Sequence, residues 1–247
     1  YEQAVYWFRE AIKQDDVVGQ RNLGLCYENG EGVEKDLEQA AYWYKEAAEQ
    51  GDADAQYRLG MCYENGEGVE KDLEQAAYWY KEAAEQGHVI AQFNVGVCYA
   101  KGTGVDQNWD KAIMWYTEAA TQGYISAQIN LGNCYFRASG VEKDMRMAAI
   151  WWEKAANQGD AGAQYNVGQC WYFGNGVEQD YEQAVYWYAK AATQGYSRAQ
   201  YNLGVCYEKG QGVEQDLNLA ASFYTAAAGQ GNTNALAALN RLKEQLD

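Results

Sequence analysis

The chain repeats itself every 36 residues, and this period constrains its fold more than any other feature. Cysteine recurs at this spacing six times, at Cys26, Cys62, Cys98, Cys134, Cys170 and Cys206. Residues 27–51 and 63–87 are identical letter for letter. A fixed period in this range is typical of a solenoid, in which each unit buries its apolar face only against its neighbours. We therefore expect one continuous repeat domain over residues 1–247.

The period also sets the expected boundaries of the units. They are a half repeat at 1–15, repeats at 16–51, 52–87, 88–123, 124–159, 160–195 and 196–231, and a capping helix at 232–247. Because Tyr1 falls in the middle of a repeat and no initiator methionine precedes it, we expect the chain to be part of a longer protein. A targeting signal would then lie outside this sequence.

Composition argues against several classes of partner. The formal net charge is −16, whereas sequence-independent binding of nucleic acid needs Lys and Arg to displace counterions. Anionic membrane surfaces are disfavoured for the same reason. No run of 18 or more apolar residues is present, so we predict no membrane insertion.

The cysteines are predicted to be free and buried. Equivalent positions on stacked helices lie about 8–10 Å apart, whereas a disulfide needs Cα atoms within roughly 7 Å. Unpaired thiols favour a reducing compartment such as the cytoplasm. His88 is the only histidine, and we predict neither a metal site nor a cofactor.

The first helix of each unit, helix A, is amphipathic. In the second full repeat its buried arc holds Ala55, Gln56 and Leu59, and it is expected to end near Asn65 and a Gly66 turn. Gly60 recurs in the middle of this helix, which predicts that a neighbouring helix backbone packs too closely for a Cβ. In the fourth full repeat Ala138 replaces this turn glycine, so we expect a locally different turn there.

The second helix, helix B, begins after a residue that is a strong N-cap in every repeat. These residues are Asp36, Asp72, Asn108, Asp144, Asp180 and Asp216. The predicted buried residues of one helix B are Leu73, Ala76, Ala77, Tyr80, Ala83 and Ala84. A tryptophan column is also expected to be buried, at Trp7, Trp43, Trp79, Trp115, Trp151 and Trp187. The last helix A replaces the glycine and cysteine with Leu236, Leu239, Leu242 and Leu246, which is typical of a terminal cap.

The repeated pattern resembles the Sel-one-like repeat (SLR) family, which is related to the tetratricopeptide repeats. Its residues in one repeat are Ala55, Leu59-Gly60, Tyr63, Gly66, Gly68-Val69, Asp72, Ala76, Trp79-Tyr80, Ala83-Ala84 and Gln86-Gly87. The resemblance covers essentially the whole chain. It implies an all-α fold, a right-handed α/α superhelical solenoid, in which helix A lines a concave face that binds proteins or extended peptides. The cysteine-rich branch of the family has paired cysteines in each repeat, whereas this chain has one.

The helical wheel indicates which side chains of helix A face the concave side. The candidate partner-binding residues are Asn22, Tyr57, Arg58, Phe93, Asn94, Asn130, Phe136, Arg137, Tyr165, Asn166, Tyr172, Phe173, Arg198, Tyr201 and Asn202. An asparagine amide both donates and accepts hydrogen bonds, so an asparagine row can pair with the backbone of an extended peptide. The alternative is that these asparagines bond within the solenoid or to water. For the aromatic side chains the alternative is burial, and we expect Phe136, Tyr172 and Phe173 to stay partly exposed.

Charge on this predicted face differs from that of the whole protein. The predicted face carries six basic residues, Arg21, Arg58, Lys101, Arg137, Arg198 and Lys209. It carries four acidic residues, Glu28, Asp54, Glu64 and Glu208. The face is thus neutral or slightly positive, which suits a peptide with an apolar centre and a carboxylate near Arg137 or Arg198.

The sequence offers no arrangement of nucleophile, base and orienting group, so we expect no catalysis. Two alternatives to a scaffold remain open. The acidic loops could bind calcium, although an EF-hand spacing is missing. The chain could also be a structural spacer that self-associates through its N-terminal half repeat.

Overall fold

The structure is a computed structural model that describes residues 1–246, and within this range the only regular elements are fourteen α-helices. It comprises two compact units, residues 1–124 and 125–247. The first unit contains α1 (Glu2–Ile12), α2 (Val17–Asn29), α3 (Leu37–Glu49), α4 (Ala53–Asn65), α5 (Leu73–Glu85), α6 (Val89–Lys101) and α7 (Trp109–Thr121). The second contains α8 (Ile125–Arg137), α9 (Met145–Asn157), α10 (Ala161–Phe173), α11 (Tyr181–Thr193), α12 (Ser197–Lys209), α13 (Leu217–Gly229) and α14 (Thr233–Leu246).

Even-numbered helices are the predicted A helices, odd-numbered helices are the predicted B helices, and each begins within one residue of its expected position. Within each unit, consecutive helices pack against each other and are joined by short turns. All six predicted N-caps of the B helices are confirmed. In α5, for example, the Asp72 carboxylate accepts hydrogen bonds from the backbone N–H groups of Glu74 and Gln75, each at 3.0 Å.

The turn that ends each A helix from α2 to α12 uses the left-handed region of backbone conformation. Gly66 ends α4 with φ +76°, a conformation that glycine adopts without a Cβ penalty. Ala138 adopts the same conformation after α8, with φ +59°. The expectation of a different turn there is therefore wrong, because the surrounding repeat holds the alanine in the conformation that glycine has elsewhere.

The glycine in the middle of each A helix makes room for a side chain rather than for a backbone. A Cβ added to Gly60 would lie 2.6 Å from a ring carbon of Tyr80. The backbone carbonyl of Ala76 would be farther away, at 3.3 Å. The predicted close approach is thus correct, but the neighbour is wrong: the aromatic ring of helix B occupies the space that a Cβ would fill.

The core is made of alanine, a few larger aliphatic side chains, and the aromatic ring that faces each glycine. Ala83, Leu59 and Tyr80 are buried as predicted, and Leu73 is half-buried. All six cysteines are free and buried, which confirms the expectation for them.

The tryptophan column is buried only in part. Trp115, Trp151 and Trp187 are buried, whereas Trp43 and Trp79 are half-buried. Trp7 is 60% exposed, so its predicted burial is wrong. The tryptophans of α3, α5, α7 and α11 pack on the helix pair before their own, as Trp43 does on the cluster of α1 and α2. No helix pair precedes Trp7 in this sequence.

The last helix buries a mixed face of alanine and leucine. Ala235, Ala238, Leu239 and Leu242 are buried, but Leu236 is 51% exposed. Ala235 takes the buried position in the helical period, and Leu236 beside it points away from the core. The side chain of Leu246 lies outside the described residues.

Candidate protein-binding face

We call the outward sides of α2, α4, α6, α8, α10 and α12 the A-helix face, defined by the candidate residues given above. The asparagine row lies on it: Asn22, Asn94, Asn130, Asn166 and Asn202 are all half-buried, with one side open to solvent. Within the described residues no side-chain hydrogen bond ties the amides of the first four of these asparagines. These four asparagine side chains are thus partly accessible to solvent.

Asn202 differs from the other members of the row. Burial raises the pKa of the Tyr165 phenol and of the Tyr188 phenol, and the Asn202 amide, which faces both hydroxyls, acts to lower each pKa. No hydrogen bond of normal geometry reaches the Tyr188 hydroxyl, which is buried without a partner.

Arg58 occupies the asparagine position of the second full repeat and is already engaged. Its guanidinium donates to the Glu28 carboxylate at 3.2 Å and lies over the ring of Tyr44, 5.7 Å from its centroid. Arg58 therefore contacts an acidic group of the protein itself in this structure.

The aromatic column of the A helices packs between neighbouring repeats. Tyr57 stacks on the His88 ring at 4.7 Å between centroids and also contacts Tyr80 at 5.9 Å. Phe93, Tyr165 and Tyr201 contact the aromatic ring of the following helix B in the same way. These side chains are half-buried, so part of each ring is used in the helix packing.

Three other aromatic residues are at least partly exposed, as expected. Phe136 is 44% exposed and Phe173 is 59% exposed, while Tyr172 is half-buried and donates its hydroxyl to Gln211 Oε1 at 2.7 Å. All three belong to the second unit, so the larger apolar surfaces of the A-helix face lie there.

Cations on the A-helix face fall into paired and unpaired groups. In the first unit Arg21 binds Asp52 at 2.9 Å and Asp54 at 3.0 Å. In the second unit Glu208 is bound by Arg241 at 2.6 Å. By contrast, Arg137, Arg198 and Lys209 are exposed, and none of them forms an ion pair within the part of the chain that the structure describes.

Arg198 lines a cavity of the second unit. This cavity measures about 570 Å³ and is bordered by Tyr201, Asn202 and the start of α14 at Thr233 and Asn234. Its walls combine amides, hydroxyls and one unpaired guanidinium, a set that suits polar and anionic groups of a partner.

Sequence reasoning missed a series of bonds between helix B tyrosines and helix A glutamates. The Tyr80 hydroxyl donates to Glu64 at 2.5 Å and the Tyr224 hydroxyl donates to Glu208 at 2.5 Å. Tyr44 and Glu28 form the same pair. The signal was available, because Glu and Tyr recur together at a spacing of 16 residues.

The described residues form neither a metal-ion cluster nor a membrane-spanning helix. Within residues 1–246 no group of three or more His, Cys, Asp or Glu side chains is arranged to hold a metal ion. None of the described helices is both long enough and apolar enough to cross a bilayer.

The helix pairs and their repeated contacts define an all-α repeat protein of the α/α solenoid class. The family model described as Sel1 repeat matches seven consecutive segments, at residues 1–16, 17–52, 53–88, 89–124, 125–160, 161–196 and 197–232. The chain belongs to the Sel1-repeat family, as its resemblance implied. The matched segments end one residue after the expected repeat boundaries.

Two solved structures are similar to this chain. One is a protective antigen present in uropathogenic Escherichia coli strains that displays an SLR fold, at 38% identity and a TM-score of 0.91. The similarity covers 98% of this chain and 52% of that one, so this chain spans about half the length of that antigen. The other is a Sel1 repeat protein from Oxalobacter formigenes, at 35% identity and a TM-score of 0.76, with 92% of this chain and 91% of that one covered. No curated protein sequence matches this chain.

Proposed function

We propose that the protein is a non-catalytic scaffold that binds a partner protein, as an extended segment, on its A-helix face. Proteins built from Sel1 repeats generally act as scaffolds for protein interactions. The observation that carries the proposal is the surface of the second unit. There the exposed rings of Phe136 on α8 and Phe173 on α10 accompany the exposed, unpaired cations Arg137 on α8 and Arg198 on α12. The whole protein, by contrast, has a net charge of −16.

The asparagines supply the sequence-independent part of this recognition. Asn130 and Asn166 occupy the same position in successive A helices of the second unit, and both amides are accessible. Each amide offers one acceptor and two donors, which match the N–H and C=O groups of an extended backbone. The aromatic rings add apolar contact area at low entropic cost. The unpaired arginines favour a partner segment that carries carboxylates.

The test starts from a partner captured from the native host and then purified. We expect the double variant Asn130→Ala/Asn166→Ala to bind that partner at least about tenfold more weakly, the effect of losing about 1.4 kcal/mol. Glu153→Ala/Gln183→Ala is the matched control, since both side chains are exposed on B helices of the same unit. Equal affinity of the two double variants would remove the asparagine row from the proposal.

A second candidate function is self-association as a structural spacer. Tyr6 and Trp7 are 55% and 60% exposed on α1 and contact each other edge to face. Exposed aromatic surface of this kind is typical of interaction sites. Light scattering as a function of concentration tests the candidate: a constant mass contradicts it, and a rising mass that Trp7→Gln abolishes supports it.

A further inference from the structure

One buried tyrosine of the second unit lacks the acceptor that its counterparts have. Tyr44, Tyr80 and Tyr224 each donate to a glutamate located 16 residues earlier on helix A. Tyr188 is the corresponding residue of α11, but Tyr172 stands 16 residues before it. The Tyr188 side chain is 0% exposed and its hydroxyl has no hydrogen-bond partner.

Such a buried donor is unfavourable unless an acceptor reaches it. The hydroxyl loses its hydration on folding and gains no bond in return. The nearby Asn202 amide faces it without closing a normal bond. Buried polar groups without a partner are rare in native proteins, and each calls for an explanation such as a water or an ion at the site.

A cavity lies where the glutamate would be. Tyr188, Asn202 and Tyr172 line it together with Phe173 and Lys209, and its volume is about 270 Å³. The corresponding place in the first full repeat, bordered by Glu28, Tyr44 and Arg58, encloses only about 20 Å³.

The difference in cavity volume follows from the side chains at matched positions of the repeats. In the first full repeat the carboxylate of Glu28 accepts from both Tyr44 and Arg58. Those two partners fill the site from within the chain. Tyr172 of the fifth full repeat replaces the glutamate, and Asn202 of the sixth replaces the arginine, so the tyrosine donor remains and the anion does not.

The mouth of the cavity carries a positive charge and an apolar surface. Lys209 is exposed and forms no ion pair with any described residue. Phe173 is 59% exposed. An incoming group would therefore meet an ammonium and an aromatic ring before it reached the polar end at Asn202 and Tyr188.

We propose that this cavity binds a glutamate side chain of the partner segment, whose carboxylate takes the place that Glu28 has in the first full repeat. The Tyr188 hydroxyl and the Asn202 amide donate to it, Lys209 neutralises its charge, and Phe173 packs on its neighbouring apolar residue. The inference rests on the proposed function, because it assigns the chemistry of one position in the bound segment.

The test uses a capped pentapeptide, acetyl-Ala-Leu-Glu-Leu-Ala-amide, titrated into the nitrogen-15-labelled protein. We expect saturable NMR shifts of the Asn202 side-chain amide and the Lys209 backbone amide. The peptide with Gln in place of Glu should bind at least about tenfold more weakly, because the charge-assisted bonds are lost.

Three variants locate the binding. Tyr188→Phe removes the donor and should weaken binding of the glutamate peptide about tenfold, while Tyr80→Phe in the first unit should leave it unchanged. Tyr172→Glu restores the glutamate found elsewhere, so it should abolish binding and raise the melting temperature.

The opposite results overturn the inference. Equal binding of the Glu and Gln peptides, or wild-type affinity in Tyr188→Phe, removes the glutamate from the cavity. If only a Gln peptide with a free C-terminal carboxylate shifts the NMR signal of the Asn202 side-chain amide, the cavity binds a chain terminus instead. In each of these cases the A-helix face keeps its proposed role if Asn130→Ala/Asn166→Ala weakens binding of the natural partner. Failure of the glutamate site can therefore be distinguished from failure of the proposed function.

Discussion

The side-chain amide of Gln86 donates a hydrogen bond of 2.7 Å to the side-chain carbonyl of Gln56. Gln56 is 5% exposed, and its own amide donates to the backbone carbonyl of Ala48 at 3.1 Å. One buried side chain therefore joins α3, α4 and the end of α5. The same pair of glutamines recurs as Gln50–Gln20, Gln122–Gln92, Gln194–Gln164 and Gln230–Gln200, at 2.7 to 2.9 Å.

Replacing the buried glutamine should destabilise the first unit. Gln56→Leu keeps the approximate volume but leaves the Ala48 carbonyl without this donor and the Gln86 amide without this acceptor. We expect a loss of about 1–3 kcal/mol in the free energy of unfolding, the usual cost of an unsatisfied buried group. Urea unfolding measures it. Gln86→Ala, at an exposed position, should cost about 0.5–1.5 kcal/mol, and equal losses in the two variants would contradict this account.

The sequence predicts those features of the fold that depend on one residue and its spacing. The period, the N-cap column that includes Asp72, and the burial of the cysteines are all of this kind. A helical wheel gives the direction of a side chain but not the group that it meets. For this reason Gly60 was paired with a backbone instead of the Tyr80 ring, and the engagement of Arg58 by Glu28 was not foreseen.

For the candidate site, too, the sequence predicts the direction of a side chain but not the group that it meets. The wheel placed the asparagine row on an accessible side of the A helices, and it identified Phe136 and Phe173 as exposed. It did not separate paired from unpaired cations, because that depends on contacts such as the bond of 2.6 Å between Arg241 and Glu208. The cavity beside Tyr188 arises from substitutions at two positions on different helices, and only their juxtaposition makes it visible.

The same tyrosine substitution should have opposite effects in two repeats. Tyr80→Phe removes a bond of 2.5 Å to Glu64, and because Glu64 is exposed its carboxylate regains water. We expect a loss of about 1 kcal/mol. Tyr188→Phe removes a buried hydroxyl that has no partner, so the free energy of unfolding should stay equal or rise by about 1 kcal/mol. Chemical denaturation of both variants measures the contrast, and a clear loss in Tyr188→Phe would show that its hydroxyl is satisfied.

The helix A glycines should not tolerate alanine. Gly60→Ala gains about 1 kcal/mol in helix propensity, but its Cβ would lie 2.6 Å from the Tyr80 ring. Displacing a packed ring costs about 1–3 kcal/mol, so we expect a net decrease in the melting temperature. Gly229→Ala is the control, because a Cβ there meets nothing within 4 Å. Gly229→Ala should raise the melting temperature. A higher melting temperature in both variants would contradict the packing argument.

The cysteine thiols should be unreactive in the folded protein. Burial raises the pKa of Cys98 and Cys170 to about 11 and that of Cys62 to about 12. Since the thiolate is the reactive form, we expect Ellman's reagent at pH 8 to titrate few thiols in the native state and all six in urea. Rapid native labelling would contradict the assignment. Because the pKa values are raised in the folded state, the fold is stabilised by keeping these thiols neutral. This contribution to stability is present below the ordinary pKa of 9.0 and is lost as the pH rises through about 11.

The single histidine should make stability depend on mildly acidic pH. His88 is the N-cap of α6: its Nδ1 accepts a hydrogen bond of 3.1 Å from the backbone N–H of Ala91, and its ring stacks on Tyr57. Burial lowers the pKa of His88 below 6.5 despite the opposing effect of Asp54, whose carboxylate lies 3.4 Å from Nε2. The fold thus favours the neutral ring, and protonation at Nδ1 would remove the cap acceptor.

Stability from this residue is therefore fully present above pH 6.5 and is lost as the pH falls through the lowered pKa. Asn is the residue at this position before α14, where Asn232 accepts from the Ala235 N–H at 3.0 Å, so His88→Asn keeps a cap but does not titrate. We expect the free energy of unfolding of the wild type, measured relative to His88→Asn, to fall between pH 6.5 and about pH 5. A difference that stays constant over this range would mean that Asp54 stabilises the imidazolium as much as burial opposes it.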